Sequence, residues 1–168
     1  GTSDGPETNP LSTADPTIDT PINGGAVGTN FPVDNHYIQL GLQFRVLKPT
    51  KFCGCRLWLP AEEIAVSTQK TVWLWDLQMM AKAADILTPT LVQGWNQVHL
   101  KDADQIVLAP GDYVVSTVFQ SAYPGRNFFY QSPIAIGAFA QAIMGVYDDD
   151  NNQPNGVIPT KTFNSTSY

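Results

Sequence analysis

The side chains able to do covalent or acid–base chemistry are few and poorly grouped. His36 and His99 are the only histidines in 168 residues. No nucleophile motif frames a serine or cysteine, so a Ser-His-Asp or Cys-His arrangement has no local support. His99, in the run NQVHL, is read as a surface histidine, and His36 sits at a strand start. Glu62 and Glu63 are adjacent. In an extended segment they point opposite ways, which does not suit the paired carboxylates of glycoside hydrolysis. They are read as part of a solvated loop. Cys53-Gly54-Cys55 puts two thiols at i and i+2 of an expected strand, too far apart for a relaxed disulfide and too few for a structural zinc. They are read as small buried apolar residues.

The run YDDDNNQPNG resembles a calcium loop in part. Asp148, Asp150 and Asn152 stand where the first three ligands of an EF-hand would. The sixth position is Gln153 instead of glycine and the twelfth is Pro159 instead of glutamate. An EF-hand is excluded, and Asp148, Asp150 and Asn152 are kept as a weak calcium set. No other cofactor is expected.

Aromatic residues offer a different chemistry. Trp73 and Trp75 in TVWLWDLQ share one face of a strand, opposite Val72 and Leu74. Both faces are apolar. Either the strand is covered on both sides, or one face carries exposed rings on which a sugar's C–H face can pack. Of the two, Trp73 is the better candidate for the surface. Trp58, Tyr113 and Phe119 are further aromatic candidates for either role. A second cluster, SAYPGRNFFYQ, holds Tyr123, Arg126, Phe128, Phe129 and Tyr130 around a Pro-Gly turn, and Tyr and Arg are frequent interface anchors. The candidate ligand-binding set is Trp58, Trp73, Tyr123, Arg126 and Tyr130.

The elements that must position these residues read as strands. Charged residues make up 14%, and Gly and Pro number 13 each, a profile of turn-rich all-β chains. YIQLGLQFRVL alternates, with Ile38, Leu40, Leu42, Phe44 and Val46 on one side and Gln39, Gly41, Gln43 and Arg45 on the other. KFCGCRLWL is expected as one strand, with Cys53, Cys55, Leu57 and Leu59 on one face and Phe52, Arg56 and Trp58 on the other. AEEIAVSTQK is a polar crossing with room for one helical turn. TVWLWDLQ is a strand, and MMAKAADILT a turn plus a short strand. TLVQGWNQVHL, QIVLAP, GDYVVSTVFQ and NFFYQ continue the series. PIAIGAFAQAIMG is read as a loop packed over the sheet, and VIPTKTFNSTSY as a final extended segment. The expected fold is an all-β, antiparallel, jelly-roll-like β-sandwich spanning 36–168. Residues 1–35 carry Pro6, Pro10, Pro16, Pro21 and Pro32 without periodicity. They are read as an extended arm or linker that orders against a partner.

The net charge of −6 and the lack of any Lys/Arg run argue against nucleic acid as a partner. No apolar stretch approaches the ~20 residues of a membrane-spanning helix, and no signal-peptide pattern is visible at Gly1.

From about residue 28 onward, the pieces LGLQF, GCRLW, VWLWD, GWNQVHL, LAPGDYVVSTVF and FNSTSY, in that order, resemble a β-sandwich family of unknown function. It is found in actinobacterial secreted proteins and in phage head-surface or tail proteins. Members continue past the Tyr168 position with a further strand, so the resemblance implies that a final strand is cut off here or supplied by a neighbour. CGC replaces plain β-formers. The family has no established chemistry. The expectation is therefore a non-enzymatic virion surface protein, a head decoration or tail structural module, that also contributes to host adhesion. The alternative is a glycan-binding module of a secreted or cell-surface bacterial protein. Expected partners are other virion proteins, copies of itself or a cell-surface glycan.

Overall fold

The computed structural model describes residues 29–33, 37–125, 133–136, 138–149 and 156–163. Arg126, Tyr130, Asp150 and Asn152, together with His36, Phe128 and Phe129, lie outside the described residues. The described chain is nearly all strand. In order the strands are β1 (Thr29–Pro32), β2 (Ile38–Val46), β3 (Thr50–Phe52), β4 (Gly54–Leu59), β5 (Thr71–Asp76), β6 (Ala81–Leu87), β7 (Gly94–His99), β8 (Ile106–Leu108), β9 (Gly111–Phe119), β10 (Ala122–Gly125), β11 (Ile134–Ile136) and β12 (Ala140–Asp148). One helical turn, α1 (Ala61–Ile64), follows β4.

Six strands form one sheet in the order β11-β12-β2-β9-β5-β6, all antiparallel. The ribbons β3–β8 and β4–β7 make the second layer, and β1 pairs with β10. Alternation fills the space between the layers. Phe44, Val46, Val72, Leu74, Val115 and Ala142 come from the six-stranded sheet, and Phe52, Cys55, Val98 and Leu108 from the ribbons. The Phe44 ring stacks between Phe52 and Tyr113, at centroid distances of 6.4 and 5.8 Å. Phe44, Phe52, Val72 and Leu74 have no exposed surface, so this is a fully dried core of the kind that dominates stability. The fold class expected from alternation and composition, an all-β antiparallel sandwich, is the one observed.

Four local expectations need correction. KFCGCRLWL is two strands, not one. At Gly54 the backbone adopts φ 139° and a Cβ would collide with the Val98 carbonyl oxygen, so only glycine fits. The kink resets the alternation. Phe52 is therefore buried with Cys55, while Cys53 is half-buried at the break. PIAIGAFAQAIMG is not a loop over the sheet but β11, the connecting turn and most of β12. A register shift between Ala142 and Met144 breaks the period-2 signal that would have shown a strand. Glu63 is not in a solvated loop and has no exposed surface. Finally, Gln39 and Ser116, on the polar-looking face of the six-stranded sheet, are buried at 3% and 4% exposure.

The last residues of the expected N-terminal arm, 29–32, are a strand. β1 runs Thr29↔Gly125 to Pro32↔Ala122, and the Val33 N–H donates to the Ser121 carbonyl. The boundary drawn at residue 35 thus falls after the first paired strand.

Candidate functional site

The six-stranded sheet has a second face, turned away from the core. Trp73 and Trp75 lie there with Val114 and Val146, and Leu77, Val118 and Ile158 pack on them. The two indoles are 6.4 Å apart with a 41° tilt. Each is 7% exposed. The segment 156–163 crosses this face. A Cβ on Gly156 would stand 2.7 Å from the Trp73 ring and 3.0 Å from that of Trp75, so glycine is needed for the backbone to lie flat on the indoles. Lys161 exchanges two backbone hydrogen bonds with Tyr147, of 2.8 and 3.0 Å, and its Nζ is 2.8 Å from Asp149 Oδ1. Polar groups beneath are wired together. The Trp75 Nε1–H donates to Ser116 Oγ (2.9 Å), and the Ser116 hydroxyl donates to Gln39 Oε1 (2.7 Å). Trp73, the better surface candidate from sequence, is thus as buried as Trp75. The covering segment lies more than eighty residues away in sequence.

The outward face of the β4–β7 ribbon is different. The register pairs Cys55 with Val98, Leu57 with Asn96 and Leu59 with Gly94 on the core side. It follows that Gly54 and His99, Arg56 and Gln97, and Trp58 and Trp95 form three successive rungs on the solvent side. Trp58 and Trp95 stand directly opposite each other and both are half-buried, while Gln97 and His99 are exposed. The Arg56 guanidinium carbon lies 4.7 Å from the centroid of the Trp95 ring, a cation–π stack that fixes both side chains. Rungs on one face of a strand are about 6.8 Å apart. The result is an aromatic rung beside a rung of hydrogen-bonding side chains.

Both ends of the aromatic rung are pinned by buried polar groups. At the start of β7, Asn96 faces inward. Its Oδ1 accepts from the Val92 N–H (2.8 Å), and its Nδ2 donates to the Val92 and Gly94 carbonyls (2.7 and 3.0 Å). That closes the loop that delivers Trp95. After β4, Pro60 opens α1 and Glu63 turns inward. Glu63 Oε1 accepts from the N–H groups of Gln120, Ser121 and Ala122 (3.1, 2.7 and 3.1 Å), and Oε2 from Lys70 Nζ (2.7 Å). Lys70 also donates to the Val118 carbonyl (2.7 Å) and lies 4.8 Å from the Phe119 ring centroid. Burial pulls the Lys70 ammonium below its ordinary pKa, against the pull of Glu63. A buried ion pair survives only when its remaining hydrogen-bonding capacity is satisfied, and these backbone donors do that. The clamp ties α1 and the entry to β5 to the β9–β10 turn, beside the exit of β4.

The remaining sequence candidates are dispersed. Tyr123 is half-buried against Phe119, edge to face at 6.4 Å, in a small cluster with Leu40, Leu59 and Leu91. Tyr113 is 3% exposed, its hydroxyl donating to the Ala109 carbonyl (2.8 Å) and its pKa raised chiefly by burial. Phe119 is 5% exposed. Asp148, the one member of the calcium set among the described residues, is half-buried at the end of β12, opposite Gln39. Among the described residues, no group of three or more His, Cys, Asp or Glu side chains is placed to hold a metal ion. Neither Cys53 nor Cys55 is in a disulfide, and burial pushes Cys55 up to about 12.

Sequence reasoning picked out Trp58 but not Trp95, Arg56 or Gln97. The alternation of GWNQVH already puts Trp95, Gln97 and His99 on one face. What it lacks is the long-range pairing that sets them against β4. Glu63 had no local signal at all, since its partners come from residues 70 and 120–122.

No curated protein and no solved structure matches the chain. A family model described as a domain of unknown function, DUF4082, matches residues 26–168, and the chain belongs to that family.

Proposed function

We propose that this domain is a non-catalytic surface module that holds a glycan on the outward face of the β4–β7 ribbon. The observation that carries the reading is the Trp58–Trp95 rung: two half-buried tryptophans paired across adjacent strands, next to the Arg56–Gln97 rung. Rigid aromatic faces pack against the C–H face of a sugar, and neighbouring amide and guanidinium groups supply the hydrogen bonds that orient it. A site on paired strands, with both ends clamped, costs little ordering on binding. The proposed setting is the exterior of a phage particle, as a head decoration or tail module, with host-surface glycan as the ligand. The resemblance of the LGLQF-to-FNSTSY series to secreted actinobacterial and phage surface proteins supports that setting. The β1–β10 pairing supports the N-terminal segment as the tether, because it ties that segment to the sandwich through backbone hydrogen bonds.

The test is affinity electrophoresis of the 168-residue protein through gels carrying soluble polysaccharides, alongside Trp58→Ala and Trp95→Ala. Retardation by at least one polysaccharide is expected, weakened about tenfold or more by either substitution, while the urea midpoint stays close to that of the parent. Retardation that survives both substitutions would place the binding elsewhere and reject the reading. For the setting, the protein is sedimented with phage particles lacking it. Saturable binding lost on deletion of residues 1–28 is expected. Binding to intact actinobacterial cells without binding to particles would favour the secreted or cell-surface alternative.

A further inference from the structure

We infer that residues 1–28 dock on the β2–β3 turn of their own chain, acidic side chains on Lys48 and Lys51 and apolar ones on Leu47 and Val107. The inference goes beyond the tether reading by naming the surface that this segment takes in the free protein, and it does not depend on the glycan face. Charge is segregated along the sequence. Residues 1–34 hold Asp4, Glu7, Asp15, Asp19 and Asp34 and no lysine or arginine, whereas residues 35–61 hold Arg45, Lys48, Lys51 and Arg56 and no acid. Segments of one sign act as interaction tails, and a surface of the opposite sign draws them in.

Several cations of the described chain already face acids. Lys70 is buried on Glu63, Lys82 pairs with Asp85, Lys161 with Asp149, and Arg45 makes a bidentate contact with Asp112. Lys48 is exposed, with its ammonium 5.5 Å from the centroid of the Phe139 ring, and it is in no ion pair among the described residues. Lys51 follows on β3 with Val107 directly opposite on β8. Thr50, Phe52 and Leu108 are buried, so the Lys51–Val107 rung faces outward. Leu47 is 46% exposed and Val107 65%, which makes this surface apolar as well as basic. The segment matches both properties, since Leu11, Ile18, Ile22 and Val27 stand among its acids. Asp102 and Asp104 lie in the turn before β8, beyond the Phe52–Ile106 rung as seen from Lys51. Reach is sufficient. β1 joins β10 just past Phe119, at the end of the sheet where Ile38 pairs with Phe119, and Lys48 follows the other end, where Val46 pairs with Gly111. The strand between them spans about 27 Å, and 28 residues reach up to about 90 Å. A segment joined covalently to its site meets it at a high effective concentration, which favours its own turn over that of a second copy.

The test couples carboxylates to lysine amines where they already meet. The whole chain, as an equal mixture of ordinary and isotope-labelled copies, is treated with a water-soluble carbodiimide, and the joined peptides are identified by mass spectrometry. Cross-links from Asp4, Glu7, Asp15 or Asp19 to Lys48 or Lys51 are expected, each within one isotope, and severalfold fewer at high salt. The double variant Lys48→Glu, Lys51→Glu, with a urea midpoint to show that it folds, gives a second readout. Its radius of gyration in small-angle scattering should exceed that of the parent, because charge reversal releases the segment, and high salt should narrow the difference. Cross-links that join the two isotopes place the segment on a second copy and overturn the inference. Cross-links chiefly to Lys82, Lys101 or Lys161, or none from the segment at all, overturn it as well, and so does an unchanged radius of gyration in the double variant.

Discussion

Trp73 and Trp75 on β5 and Trp58 and Trp95 on the β4–β7 ribbon all point away from the space between the two layers, yet the first pair is 7% exposed and the second is half-buried. The two faces start alike. Each places indoles at alternate or opposed positions of antiparallel strands, and each puts polar side chains beside them. They differ in what lies on top. The face of the six-stranded sheet is crossed by residues 156–163, with Gly156 flat on the rings and Ile158 packed among them. There the polar neighbours have turned inward, and the Trp75–Ser116–Gln39 chain spends its hydrogen bonds within the protein. On the ribbon face, Gln97 and His99 remain exposed and Arg56 is half-buried against the Trp95 ring. An aromatic strand face is therefore not a binding platform by composition. It becomes core or contact surface according to whether a distant part of the chain returns to cover it.

That contrast is open to direct attack. The largest effect is expected from Trp73→Ala, which should cost about 3–5 kcal/mol of stability, read from urea midpoints, whereas Trp58→Ala should cost at most about 1–2 kcal/mol because part of its ring stays exposed in the folded chain. Equal losses at the two sites would erase the distinction. Glu63→Leu should cost about 3–5 kcal/mol by stranding Lys70 and three backbone donors, and the outward face of the β4–β7 ribbon should loosen with it, because the clamp stands beside the exit of β4. Proton-exchange rates of the Gln120, Ser121 and Ala122 amides report this directly. Gly156→Ala should cost about 1–3 kcal/mol and raise Trp73 fluorescence quenching by iodide, since the added methyl pushes the covering segment off the indoles. Unchanged quenching would mean that the segment is not what shields them.

The smallest effect concerns Cys55. Its folded-state value near 12 lies above its ordinary 9.0, so the folded chain keeps a proton that the unfolded chain loses. Its contribution to stability is fully present below about pH 9 and declines as pH rises towards 12. At pH 10 the decline should be about 1 kcal/mol. Urea midpoints of the parent and of Cys55→Val, compared at pH 8 and pH 10, isolate it as the difference between the two pH dependences.

Much of the architecture was legible in the strands with clean period-2 alternation. IQLGLQFRV declared its buried face through Leu40, Phe44 and Val46, and AKAADIL and GDYVVSTVF were recognisable as strands. The misreadings cluster where one residue disturbs the period. Gly54 reverses the parity between β3 and β4, and the irregularity at Ala142–Met144 hid β12 in a run of small residues. The candidate site was half legible. Trp58 stood out by type, and GWNQVH already arranged Trp95, Gln97 and His99 on one face, but nothing local said that these two strands are partners.

The sequence by itself determined the class of the fold and the face on which each strand presents its side chains, because alternation and turn chemistry act over a few residues. Only the tertiary structure decided which faces are covered, which strands are neighbours and which charges are buried. Glu63 and Lys70 read as ordinary polar residues until the β9–β10 turn supplies three amide donors. The tryptophans read alike until residues 156–163 close over one pair. Coverage, pairing and charge burial depend on contacts between residues tens of positions apart, whose closure is set by the free energy of the whole packed core and not by any local preference.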